Sequence, residues 1–215
     1  GQTAKQFGTS YEEALKINSE LVQTAALSDD IFVTTKALVE ANNNLNAILG
    51  TNRSINAESL VTYVKLTQEA GYSAEAAATL FKLRQASGKS EKSLVYTYLG
   101  QVSALNAQNK LSINGKDLLN DISNISKGLL ATYGGQTQKI AEAAFEAKKL
   151  GGSLKDIEGI QNSLLDIESS ISNEFEAEVM TGRSLNLERA RYFALTNDIA
   201  GLSKEIGKQG IDLTK

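Results

Sequence analysis

Residues 154–179 read LKDIEGIQNSLLDIESSISNEFEAEV, and this stretch decides the fold class. Its apolar residues Leu154, Ile157, Ile160, Leu164, Ile167, Ile171, Phe175 and Val179 recur at steps of three and four. That is the spacing of one face of an α-helix, and it predicts a single amphipathic helix from Ser153 to Met180. The same steps place Tyr11, Leu15, Val22 and Ala25 on one face of a helix over about Tyr11–Ala26. They continue through Leu38, Ala41, Leu45 and Ile48, then Val95, Tyr98, Val102 and Leu105, then Leu118, Ile122, Ile125 and Leu129. No stretch keeps the period-two alternation of a half-buried strand. The expected fold is all-α, a multi-helix bundle without a sheet.

The breaks between these runs are regular. Glycine is followed two residues later by serine at Gly71–Ser73, Gly88–Ser90, Gly151–Ser153 and Gly182–Ser184. Glycine takes the left-handed conformation that closes one helix, and serine caps the amides that open the next. Ser153 with Asp156 resembles a capping box, and Asn114 with Asp117 is a similar helix start. Links this short make consecutive helices neighbours in space. From about Asn56 onward the chain therefore reads as successive helix–turn–helix units, each helix roughly 12 to 25 residues long. A break at Gly50–Ser54 sets off residues 1–50, a helical pair of possible coiled-coil character, from a helical bundle domain over 51–215.

Composition agrees. The 215 residues contain no proline, where average usage gives about ten, and proline is the residue a helix interior tolerates least. With 41% hydrophobic and 22% charged residues, the chain is of globular composition. A net charge of −3 gives no general attraction for nucleic acid or anionic lipid. No apolar run approaches the roughly 20 residues that cross a bilayer. Because the chain opens on Gly1 and stops at Lys215 without a terminating feature, we expect a piece of a longer protein.

Histidine, cysteine and tryptophan are also absent. That removes the commonest general base, the best thiol nucleophile and the usual zinc ligands together. No segment fits a P-loop or a Gly-x-Gly-x-x-Gly turn after a strand. Asp156, Glu158, Asp166, Glu168, Glu174, Glu176 and Glu178 make the 153–180 helix acidic, and Arg183, Arg189, Arg191, Lys204 and Lys208 follow it. Nothing there has the alternating oxygen ligands of a calcium loop, so we read two neighbouring helices of complementary charge. Glu168 reads as a solvated helix residue. We assign no catalytic, cofactor-binding or metal-ligating residue and expect no cofactor.

The stretch Ala143–Leu154 (AAFEAKKLGGSL) resembles a helix–turn–helix found in many tail tape measure proteins of tailed bacteriophages. The likeness continues through Leu164–Ile171, is most telling at Glu174, Glu176, Ala177 and Thr181–Leu187, and closes on Ala190-Arg191 and Ala194–Asp198. An earlier piece, Lys65–Leu83 with Ser87–Ser90, looks like the same family's preceding module. The resemblance covers about residues 55–210.

It implies a structural protein of the phage tail, around which tube subunits polymerise and whose length fixes tail length. Tail tube and tail assembly proteins would be its partners, with self-association possible. The tube lumen of the virion would be its place, and the host cytoplasm during assembly. No family catalytic site is carried over. A wholly helical chain would span roughly 320 Å at 1.5 Å per residue, yet the glycine–serine turns lead us to expect a compact bundle embedded in the ruler. Two alternatives remain open: an adaptor that binds partner helices through apolar grooves, and a cell-wall-cleaving domain using Glu168. For the latter, Glu168-Ser169 is similar to the catalytic acid of lytic transglycosylases, but no second motif of the Gly-Leu-Met-Gln type follows.

Overall fold

Helix starts in this chain are written in short polar side chains. Ser10, Thr34, Asn56, Ser73, Ser126, Ser153, Asp166 and Asp198 each accept a hydrogen bond from a first-turn amide, which satisfies a donor the helix cannot pair itself. In a computed structural model, which describes residues 10–211 and 213, all regular structure among those residues is helical. The helices are α1 (Tyr11–Leu27), α2 (Thr35–Leu49), α3 (Ala57–Val64), α4 (Ala74–Ser87), α5 (Glu91–Asn109) and α6 (Gly115–Ser123). They continue as α7 (Lys127–Thr132), α8 (Thr137–Lys149), α9 (Leu154–Leu165), α10 (Ile167–Thr181), α11 (Glu188–Leu195) and α12 (Ile199–Lys208). A π-helical turn, Lys65–Glu69, extends α3. No described helix is long and apolar enough to cross a membrane.

The chain divides into two compact units, residues 1–95 and 96–215, the division falling within α5. In the first, α1 packs on α2 and α3, and α2 on α3 and α4. Ala14, Leu21, Leu38, Leu45, Leu60 and Leu80 are buried there. The face expected for α1 is turned outward: Tyr11, Leu15 and Val22 are exposed, and Ala14 and Leu21 are buried in their place. α1 is apolar on two sides, and spacing alone could not choose between them. The Gly50–Ser54 link, expected to divide the chain, lies inside this unit. Asn46 Nδ2 donates to Arg53 O at 2.7 Å, and Ile55 N donates to Asn42 Oδ1 at 3.1 Å, so the link is fastened back onto α2.

In the second unit α9 is the hub, packing on α6, α8, α10, α11 and α12, while α8 packs on α6 and α12. Ile140, Phe145, Leu154, Ile157, Leu202 and Ile206 form its centre, each fully buried side chain stabilising by about 1.5–3 kcal/mol. The single helix expected over 153–180 is two helices. Asp166 leaves helical geometry (φ −79°, ψ 84°), and its side chain accepts from Ser169 N and from Ser169 Oγ, the latter at 2.7 Å. A new helix therefore starts at Ile167. Leu154, Ile157 and Leu164 before the break are buried, whereas Ile167, Ile171, Phe175 and Val179 after it are exposed.

One corner occurs three times. Each time a helix closes on a left-handed residue: Gly50 (φ 66°), Lys110 (φ 55°) and Gly182 (φ 66°). A side chain four positions earlier reaches over the corner to an amide three positions beyond it. Arg53 N donates to Asn46 Oδ1 at 3.2 Å, Ile113 N to Asn106 Oδ1 at 2.8 Å, and Leu185 N to Glu178 Oε1 at 2.6 Å. The two asparagines also donate to the carbonyl of the same residue, which a glutamate cannot do.

An asparagine then caps the next turn at Asn56, Asn114 and Asn186. The short helix that follows buries the residues four and eight positions on: Leu60 and Val64, Leu118 and Ile122, Ala190 and Ala194. The likeness extends further between the second and third copies. Ile140, Glu146 and Lys149 of α8, with Gly151 just beyond it, correspond to Ile199, Glu205 and Lys208 of α12, with Gly210 just beyond it. Both glutamates are buried and paired with the lysine three residues on, and both glycines are left-handed.

Candidate functional site

Two concave regions stand out in the second unit. Between α9, α10 and residues 185–187 lies a groove of about 890 Å³, whose walls include Ile160, Leu164, Ala177, Leu185 and Leu187. At its side the Ser170 hydroxyl is buried without a hydrogen-bond partner. A second cleft of about 770 Å³ contains Tyr133, Glu142, Asp198 and Lys204. Burial, with Asp198 and Glu142 nearby, pushes the Tyr133 phenol far above its ordinary pKa of 10.0. It therefore stays a neutral donor, and its hydroxyl has no partner. Lys204 Nζ bonds Glu142 Oε1 at 2.7 Å, which raises the ammonium pKa above its usual value.

The acidic residues singled out in the sequence are mostly occupied with the backbone. Asp156 accepts from Ser153 N at 2.7 Å, Glu158 from Ser126 N at 3.1 Å, Glu174 from Leu187 N at 2.8 Å, and Glu178 from Leu185 N. Asp166 caps α10. Among the described residues, these basic side chains pair with the acidic stretch at one place: Arg191 bonds Glu174 through both terminal guanidinium nitrogens. Elsewhere Arg189 and Lys208 meet Glu205, and Lys204 meets Glu142. The complementary charge thus belongs to α8 and α12 as much as to the acidic stretch. Glu168 is exposed and does not line the groove. Among the described residues no cluster of three or more acidic side chains could hold a metal ion.

The feature that spacing misplaced is the outer face of α10. Ile171 is 52% exposed, Phe175 67% and Val179 70%, with Ile167, Leu165 and Met180 also open to solvent. The break at Asp166 redirects the helix, so its apolar row no longer meets the core that Leu154 and Ile157 fill. An aspartate followed three residues later by serine, inside the apolar run, is the signal from which it could have been found. Comparison with known protein families, with curated proteins and with solved structures finds no match to this chain.

Proposed function

We propose that this chain is a helical segment of a tail tape measure protein of a tailed bacteriophage, acting in tail-length determination and tail tube assembly. The likeness over residues 55–210 carries the reading. It is supported by the serial arrangement of one stapled corner at Asn46, Asn106 and Glu178. A ruler needs chain length and repeated modules rather than a reactive centre. In this reading the compact units are the state before assembly. Inside the tube the corners at Gly50, Lys110 and Gly182 straighten, and the chain approaches the 1.5 Å rise per residue of continuous helix. Tube and tail assembly proteins are its partners, in the host cytoplasm and then in the virion. Removing the whole segment in frame from the parent gene is expected to shorten tails by roughly 320 Å on that rise, measured by electron microscopy. Tails of unchanged length would overturn it.

A second reading, a helical module that binds partner helices, is favoured by one observation: the uncovered apolar row of α10.

A further inference from the structure

Helix α10 joins an apolar row to a charge of one sign. Ile167, Ile171, Phe175 and Val179 follow one another at four-residue steps, all exposed. The row runs about 18 Å along the helix, from twelve residues of rise. An apolar strip of this kind on a soluble surface marks a contact site. The same helix carries Glu168, Glu174, Glu176 and Glu178 and no lysine or arginine. Glu174 and Glu178 turn inward, to Arg191 and to the amides of Leu187 and Leu185. Glu168 and Glu176 border the row, are exposed, and form no ion pair among the described residues.

We infer that this face receives an amphipathic helix of another protein, one with lysine or arginine flanking its apolar stripe. The inference names the partner for the second reading above and rests on it; it does not depend on the ruler assignment. Charge selects the occupant. A second copy offering its own α10 antiparallel would set Glu168 and Glu176 against the same glutamates, and like charges across an interface are repelled. A basic helix of roughly 12–16 residues matches the row in length, with alternate turns placing leucine-sized side chains between Ile171, Phe175 and Val179.

The test uses the 215-residue chain and two synthetic helical peptides of about 16 residues with the same leucine stripe, one flanked by lysine and the other by glutamate. Fluorescence anisotropy is expected to show binding of the lysine peptide at least about tenfold tighter than the glutamate peptide, a preference that shrinks as salt screens it. Phe175→Ser and, separately, Ile171→Ser are expected to weaken the lysine peptide by roughly tenfold or more, as loss of a central apolar anchor does. The double variant Glu168→Lys with Glu176→Lys is expected to reverse the preference. Both positions are exposed, so circular dichroism melting of each variant should match the parent. Equal binding of the two peptides, binding of neither, or indifference to both serine variants would overturn the inference. So would sedimentation showing a dimer of the parent that Phe175→Ser dissolves, since the face would then belong to a second copy.

Discussion

Asn106 holds its corner with both ends of its amide, accepting from Ile113 N at 2.8 Å and donating to Ile113 O at 2.9 Å. Replacing it with alanine leaves two backbone groups to find other partners, so Asn106→Ala is expected to cost about 1–3 kcal/mol in urea unfolding. At the third corner only the acceptor is used, so Glu178→Gln should keep most of the stability that Glu178→Ala loses. Lys110 bears φ 55° without being glycine. Lys110→Gly should raise stability by up to about 1 kcal/mol, because the left-handed penalty for a side chain is relieved.

Ser153 and Asp156 form a reciprocal cap. The bonds from the Ser153 side chain and amide hold the Asp156 carboxyl below its ordinary value of 3.8. A carboxylate whose pKa is lowered on folding adds stability at pH above its unfolded value and loses it as pH falls through the folded one. Ser153→Ala is therefore expected to cost about 1 kcal/mol at neutral pH and progressively less as the pH is lowered below the ordinary Asp156 value of 3.8, as read from melts across that range. Much of this was legible. Gly71, Gly88, Gly151 and Gly182 are all left-handed, and Ser73, Ser90 and Ser153 bond first-turn amides as expected. Ser184 is no such cap, because α11 begins only at Glu188. The repeated Ser54-Ile55-Asn56, Ser112-Ile113-Asn114 and Ser184-Leu185-Asn186 were visible in the sequence too. Their meaning depends on a staple that comes from asparagine twice and glutamate once, and sequence identity does not reveal that equivalence.

At the scale of the helix, burial separates side chains of similar type. Phe145 at the centre of α8 is fully buried, while Phe175 on α10 is exposed. Phe145→Ala is expected to lose about 3–5 kcal/mol through lost contacts and a cavity. Phe175→Ala should change the stability of the chain by no more than about 0.5 kcal/mol. Denaturant titration of both variants checks the contrast, and a large loss at Phe175 would mean that α10 packs differently. Periodicity identified helices and one of their faces, and Leu38, Leu45, Leu118 and Ile122 are buried as the spacing predicts. It failed at α1, which is apolar on two sides, and at α10, where a new helix starts at Asp166. A step of three or four records which residues share a face, and leaves open which way that face is turned.

For the molecule as a whole, the absence of proline and the run of capped helices led directly to an all-helical fold. The division between Val95 and Tyr96 was not legible, because it falls within a continuous helix with no break in composition. Three corners of one design in series give the ruler reading a quantitative form. Chain removed in whole corner-to-corner lengths should shorten the assembly in proportion to its residues, with the adjoining folds left intact. The most direct measurement is tail length by electron microscopy in a graded set of phage whose parent gene lacks one, two or all three corner segments. A straight line of about 1.5 Å per residue removed is the result expected of a chain that extends within the tube. Tails of constant length across the set would contradict the ruler function.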